Sequence, residues 1–293
     1  MAPAEIRVQP VSGAASLDHV GLGTRDGPGL WAAYERLGFR LTPVARQSGR
    51  RAPGAPVEVL ATGNRCAMLR EGYLELLAIL EPERFDNGLG GFLDRYVGMH
   101  IIAFGIADAE AELARLHRAG LDIPGVAHLE RPVDAPDGPR ARFSRLPLPD
   151  APEGRLQLIQ HHTPELLWQE RWMEHPNRAV ALESVVLAAP EPAVSAAALS
   201  CLTGHPLEPD PAGGYALPLP RGRVRILPAE ALGKVLPGVS APSLPFLAGF
   251  TVRTEDGNAA VRRLLADLPL RAAPEGLMVP PELAGGAALV FRP

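Results

Sequence analysis

The chain of 293 residues has little of what marks several protein classes. Its two cysteines, Cys66 and Cys201, are far apart and lack metal-ligand spacing, which excludes a disulfide framework. No run approaches the roughly 18–20 apolar residues that a membrane-spanning helix needs. Basic clusters are absent and the formal net charge is −4, which argues against a nucleic-acid-binding surface.

The N-terminal residues 1–14 lack the basic head and apolar run of a signal peptide, so we expect a flexible tail on a cytoplasmic protein. What the chain does have is 30 glycines and 32 prolines, which interrupt regular elements and exclude a helical bundle or a long coiled coil. A hydrophobic content of 46% predicts a substantial core, in one large domain or two of ordinary size.

An internal repeat organises the first half of the chain. Residues 17–39 and 99–121 each predict a short strand, a helix and a closing glycine. Asp26 and Asp108 stand at the two helix N-caps, 82 residues apart, and Gly38 and Gly120 end the helices at the same offset. The segments GYLELLAILEP and GRLQLIQHHTP continue the repeat, again shifted by 82 residues.

Two fainter copies of this pattern follow, at 181–204 and 246–268, each with a later strand of its own. The sequence therefore predicts an α+β protein with four βαβββ modules in two pairs. We expect a first module pair over 15–165, a connector over 166–179 and a second, degenerate pair over 180–293. The later copies lack histidine in their first strand, so any chemistry is expected in the first pair.

Histidines and a carboxylate recur at equivalent places in the first pair. His19 and His100 lie in the first strand of each early module, and Glu75 lies in the apolar run YLELLAIL. Two histidines and one carboxylate are a ligand set for a divalent metal ion such as Fe, Mn, Ni, Zn or Co. If the paired sheets face one cleft, these three side chains can converge there as metal ligands.

The fourth equivalent position holds Gln157, whose amide oxygen can ligate a metal but cannot act as a general base. Strand alternation places His161 on the same face, as a reserve ligand or a catalytic base. The remaining histidines are interpreted as surface residues: His117, His128, His175 and His205.

A hairpin near residues 70–72 brings further side chains toward Glu75. With a two-residue turn, Asn64 and Cys66 share its face, whereas one extra residue places Arg65 there instead. We include these three and Tyr73 as candidate substrate-binding residues. Trp168 and Trp172 in the connector either line the cleft mouth or pack the two halves together, and packing is favoured.

The ordered segments LDHVGLG, TRDGPGLWAAYERLGF and TGNRCAMLREGYLELLAIL resemble the vicinal oxygen chelate superfamily, in particular its glyoxalase-like branch. GMHIIAFGIAD and LQLIQHHTPELLWQ resemble the same branch. The resemblance implies paired modules around a metal-centred cleft, with ligands at His19, Glu75, His100 and Gln157. It also implies Lewis-acid chemistry on a substrate that offers two adjacent oxygens.

Two functions follow as expectations. The first is a metal-dependent lyase, isomerase or dioxygenase acting on a small vicinal-oxygen or carbonyl compound, with Gln157 or His161 completing the site. Because Gln157 replaces the glutamate of lactoylglutathione lyases, glutathione isomerisation is not expected unless His161 takes its role. The second is a metal-free protein of the same fold that sequesters a small molecule. Pairing of two chains into a homodimer is left open.

Overall fold

The computed structural model describes residues 16–51, 54–133 and 137–293. The strands of these residues form one mixed sheet, with the helices packed against it. The tail predicted over 1–14 lies outside the described residues. Among the helices of the described part, none is long and apolar enough to cross a membrane.

The first half of the chain contains two units of the same design. The first unit comprises β1 (Ser16–Thr24), α1 (Gly27–Arg36), β2 (Ala45–Gly49), β3 (Glu58–Met68) and β4 (Tyr73–Ile79). A short helix, α2 (Leu89–Leu93), leads into the second unit. That unit comprises β5 (Gly98–Gly105), α3 (Ala109–Arg118), β6 (Ala127–Pro132), β7 (Arg140–Leu146) and β8 (Arg155–His161). β4 and β8 run parallel to the first strand of their units, and β1 pairs antiparallel with β5.

The second half repeats this design after the short helix α4 (Glu170–Met173). Its third unit comprises β9 (Ala179–Ala188), α5 (Pro192–Thr203), β10 (Glu208–Pro209), β11 (Tyr215–Pro218) and β12 (Arg223–Leu227). Helix α6 (Leu232–Val235) follows. The last unit comprises β13 (Phe246–Thr254), α7 (Ala259–Leu264), β14 (Arg271–Ala273), β15 (Gly276–Val279) and β16 (Ala288–Arg292).

The strand pairing of the second half matches that of the first. β9 pairs with β12 in parallel, β13 with β16 in parallel, and β9 with β13 antiparallel. The pairing of Leu247 with Met99 continues the sheet from one half to the other, and a parallel bridge joins Glu71 to Ala181 of β9. The predicted α+β class with βαβββ modules is confirmed, while the count of four modules and the boundaries at 165 and 180 stay predictions.

The helix signals read from the sequence are confirmed. The Asp26 carboxylate accepts a hydrogen bond from the backbone N–H of Gly29, and Asp108 accepts two from the first turn of α3. Gly38 and Gly120 have φ of 83° and 86°, the left-handed conformation that ends a helix.

Alternation along the strands gives the first half two faces. Leu22, Leu74 and Ile102 belong to the main core on the side of α1 and α3. We call the opposite side of β1–β8 the inner face. It carries His19, Glu75 and their neighbours in register, so the polar candidates of the sequence are collected on one side of the sheet.

Candidate functional site on the inner face

The turn between β3 and β4 fixes which side chains accompany Glu75. The backbone N–H of Leu69 donates to the carbonyl of Gly72, and Gly72 has a φ of 82°. A Cβ at Gly72 would lie 2.7 Å from the Asp18 carbonyl oxygen, so glycine is required by space as well as by φ. Cys66 is thereby placed directly opposite Glu75.

This register settles the alternative left open by the sequence. Asn64 lies two residues from Cys66 and shares its face, whereas Arg65 lies on the other side of the sheet. The Arg65 guanidinium pairs with Glu35 at 2.8 Å and donates to the carbonyl of Thr42. The alternative that places Arg65 beside Glu75 is therefore wrong, because the hairpin turn is too short to bring it there, and a substrate-binding role for Arg65 stays a prediction.

Glu75 is held by amide groups. Its side chain is only 8% exposed, and Oε1 accepts hydrogen bonds from Nδ2 of Asn64 and from Nε2 of Gln47. The Thr62 hydroxyl in turn donates to Gln47. Burial and the nearby Glu75 charge raise the pKa of the Cys66 thiol to about 12, so this cysteine is a neutral neighbour and not a nucleophile.

One carboxylate on the inner face lies between two imidazoles. Oδ1 of Asp18 lies 2.7 Å from Nδ1 of His19 and 3.3 Å from Nε2 of His161. Asp18 and His19 are consecutive, yet their side chains meet because a register shift between Leu17 and His19 leaves Asp18 as a bulge in β1. Alternation alone assigns Asp18 to the opposite face, and for this reason the sequence reasoning missed it.

The charge on Asp18 fixes the tautomers of its partners. Burial alone would raise its pKa, but the charge and hydrogen bonds of His161 and His19 outweigh burial and hold the pKa below its usual value. An ionised carboxylate only accepts hydrogen bonds, so His19 donates from Nδ1 and His161 from Nε2. In the neutral form of the ring Nδ1 of His161 carries the lone pair, and this atom is buried without a hydrogen-bond partner among the described residues.

Aromatic side chains enclose this cluster. Tyr73 stacks on His19 with ring centroids 4.3 Å apart, and burial raises the pKa of its hydroxyl well above the usual value. Trp168 packs edge-to-face against Tyr73 and His161, with ring centroids 5.8 and 5.0 Å apart. Its indole Nε1 is buried and has no partner in the described part of the chain. Trp168 thus borders the site, while Trp172 packs nearby against the cluster around Met68.

Two polar side chains from the second unit complete the inner face. Gln157 pairs with Ala103 of β5 and is partly exposed, so its predicted role as ligand or catalytic residue stays a prediction. Arg145 pairs with Ile159 on the same side, and burial lowers its pKa. The sequence offers no signal for Arg145, because a single arginine in a strand is ordinarily a surface residue.

His100 is placed apart from this group. Its Nε2 lies 2.8 Å from the carbonyl oxygen of Tyr96, and its ring packs between Tyr96 and Phe92 beside helix α2. Burial lowers the pKa of His100 to about 4. The imidazole therefore stays neutral and is used as a structural hydrogen-bond donor.

The predicted ligand set does not fit a resident metal ion. His19 and Glu75 share the inner face, but His100 does not join them. Across residues 16–51, 54–133 and 137–293, no three side chains among His, Cys, Asp and Glu are placed to hold one. A site built of two histidines and a carboxylate needs all three to converge, and the positions of His19, Glu75 and His100 do not meet this requirement.

One histidine interpreted as a surface residue is buried. His175 is 4% exposed, accepts a hydrogen bond from the backbone N–H of Arg40 and lies 2.8 Å from the Met68 carbonyl oxygen. Burial lowers its pKa to about 4. The sequence prediction for His175 is therefore wrong, because its partners come from distant segments. His175 anchors the connector to the first unit.

In the second half of the chain, charged side chains on the strands pair with one another. Arg225 makes two hydrogen bonds of 2.7 Å to the Asp210 carboxylate. Glu275, from the turn between β14 and β15, accepts hydrogen bonds from Arg225, Arg223 and Thr251. Arg223 and Arg225 are thus matched by carboxylates of the same chain.

Comparison with known proteins agrees with this fold. A glyoxalase-like domain family model matches residues 17–203, more than half of the chain. No curated protein matches it. A hypothetical protein from Staphylococcus aureus is similar in structure, at 14% identity and a TM-score of 0.64, over 95% of this chain and 99% of that one.

Two further structures have named activities. A mutant of 4-hydroxymandelate synthase from Streptomyces coelicolor is 14% identical, with a TM-score of 0.57 over 89% of this chain and 77% of its own. The Mn(II)-bound glyoxalase from Novosphingobium aromaticivorans is 15% identical, with a TM-score of 0.50 over 96% and 82%. At such identities the likeness shows the fold alone. By its family match and its strand pairing, the chain belongs to the glyoxalase-like domain family and has the vicinal oxygen chelate fold.

Proposed function

We propose that the inner face of the first module pair binds a small carbonyl or vicinal-oxygen compound and moves a proton on it. His161 is the base in this proposal, and Asp18 is the residue that positions it. The supporting observation is the Asp18 carboxylate between His19 and His161. It fixes the tautomer of His161 and leaves Nδ1 of that ring buried with its lone pair unused.

The chemistry is that of a general base next to a carbonyl. Nδ1 of His161 takes a proton from the carbon adjacent to the carbonyl, and the electron pair of that C–H bond delocalises onto oxygen as an enolate. Return of the proton to another face or atom gives an isomer. A base held by a carboxylate is stabilised when it becomes an imidazolium, because the opposite charge of Asp18 lies beside it.

Solvent exchange tests the proposal without knowledge of the natural substrate. The protein is incubated in D2O with pyruvate, methyl pyruvate and other small carbonyl compounds, and loss of the proton signals next to the carbonyl is followed by NMR. We expect exchange faster than in buffer, and a loss of about 10²-fold or more in His161→Gln. His162→Gln is the matched control, because the side chain of His162 lies on the opposite face and is exposed.

Two results would contradict the proposal. One is an exchange rate no higher than that of buffer for every compound. The other is exchange that His161→Gln leaves unchanged. Binding without exchange would instead favour the metal-free sequestering protein that the sequence leaves open.

The metal-dependent lyase, isomerase or dioxygenase activity stays a prediction with a test of its own. Metal content of the protein purified without chelators is compared with that of the His19→Ala, Glu75→Ala double variant. A stoichiometric metal that disappears in the double variant would support a metal-dependent enzyme. Unchanged content, together with exchange that survives chelators, would support the metal-independent proposal.

A further inference from the structure

Arg145 is a cation that the described part of the chain does not neutralise. Its Nε is buried, and its guanidinium makes no hydrogen bond or ion pair with any described residue. The side chain as a whole is partly exposed, so the terminal N–H groups of this unpaired cation can reach a bound ligand.

The carboxylates near Arg145 accept hydrogen bonds from other side chains. Asp150 and Glu75 attract Arg145 electrostatically but make no hydrogen bond with it. The Asp150 carboxylate is held by Arg155 in two hydrogen bonds of 3.0 and 3.1 Å. Glu75 accepts instead from the side-chain amides of Asn64 and Gln47.

The position of Arg145 places it in the site. Arg145 pairs with Ile159 of β8, and the pair two residues along, Phe143 with His161, lies on the same face. Trp168, whose indole N–H also lacks a partner among the described residues, contacts His161 from the connector.

From this placement we infer that Arg145 binds the anionic group of the small molecule taken by the inner face, a carboxylate or a phosphate. The inference rests on the proposed function and names its substrate class: an anion that also carries a carbonyl or hydroxyl oxygen. The planar guanidinium offers two parallel N–H groups, which match the oxygens of either anion. The indole N–H of Trp168 is a donor for a second oxygen of the same molecule.

Binding is measured by calorimetry with pyruvate, methyl pyruvate and inorganic phosphate at constant ionic strength. We expect pyruvate or phosphate to bind, the uncharged ester to bind less tightly, and Arg145→Gln to weaken anion binding by about tenfold or more. Comparison of the pyruvate and phosphate arms tells which anion the site takes. Arg142→Gln is the matched control, because Arg142 is an exposed arginine on the same strand with its side chain on the other face.

The melting temperature of the unliganded protein gives a second test. Because no described residue makes a hydrogen bond or ion pair with Arg145, Arg145→Gln is expected to leave Tm within about 2 °C of the wild type. An arginine with a purely structural role would give a fall in Tm instead.

Three results would overturn the inference: neither anion binds, Arg145→Gln binds both as tightly as the wild type, or its Tm falls. Its failure is distinguishable from failure of the proposed function, which is read from proton exchange in His161→Gln. Anion binding that depends on Arg145 without exchange would retain the anion site and reject proton transfer.

Discussion

The Asp18 carboxylate lies 3.3 Å from Nε2 of His161, although 143 residues separate the two in sequence. The contact joins the first strand of the first unit to the last strand of the second. It depends on the pairing of β1 with β5 and of β5 with β8. The proposed base is therefore assembled only when both units of the pair have folded together.

Replacing Asp18 tests its role as a positioning residue. Asp18→Asn keeps the size of the side chain but removes the charge that fixes the imidazole tautomer and stabilises the imidazolium. We expect proton exchange to fall by about 10²-fold. Asp26→Asn, at the N-cap of α1, is the control and is expected to retain exchange. A rate in Asp18→Asn within twofold of the wild type would show that the carboxylate is not needed.

Because His175 is buried, we expect the free energy of unfolding to fall in acid. Its pKa of about 4 in the folded protein is below the ordinary value of 6.5, so between these values only the unfolded chain takes up the proton. Lowering the pH from 6.5 to 5 should therefore cost about 1.5 kcal/mol from this group. Tm measured across this range should fall less steeply in His175→Gln. Parallel curves for the two proteins would contradict this role.

The two cysteines are expected to differ in reactivity. Burial and the charge of Glu75 raise the pKa of Cys66 to about 12, whereas Cys201 is exposed. At pH 8 a maleimide should label Cys201 and leave Cys66 unmodified in the folded protein, since the thiolate is the reactive form. Peptide mapping by mass spectrometry locates the label. Cys201→Ser should remove labelling, and modification of Cys66 at a similar rate would show that this part of the inner face opens to solvent.

Gly21 marks a close approach of the two units. A Cβ there would lie 2.7 Å from Cβ of Ile101 across the pairing of β1 with β5. We expect Gly21→Ala to lower the free energy of unfolding by about 1–3 kcal/mol, because the strands must move apart. Gly91 in α2 has no atom within 4 Å of such a Cβ, so Gly91→Ala is the control and should be neutral or stabilising. Equal stabilities for the two variants would contradict this explanation.

Much of the fold can be predicted from the sequence, because its signals are local and repeated. The N-caps Asp26 and Asp108 and the closing glycines Gly38 and Gly120 recur at one offset, and each is a property of a few neighbouring residues. The face shared by Glu75 and Cys66 follows from the length of one turn. These features need no knowledge of distant contacts.

The candidate site is harder to predict, because departures from regular pairing determine it. A bulge brings Asp18 beside His19, and His100 is bonded to the backbone of Tyr96 instead of joining Glu75. Arg145 and His175 are defined by what surrounds them in three dimensions. Repeat symmetry placed His19 and His100 as equivalents, but their environments have diverged.

The ion pairs around Glu275 have a consequence for how the two halves of the chain differ. On the surface of the second half, Arg223 and Arg225 find their counter-charges in Glu275 and Asp210. On the surface of the first half, Arg145 finds none among the described residues. The two surfaces therefore differ in how their arginines are used: Arg223 and Arg225 are bound to carboxylates of the chain, whereas the terminal N–H groups of Arg145 remain open to a counter-charge from a bound molecule.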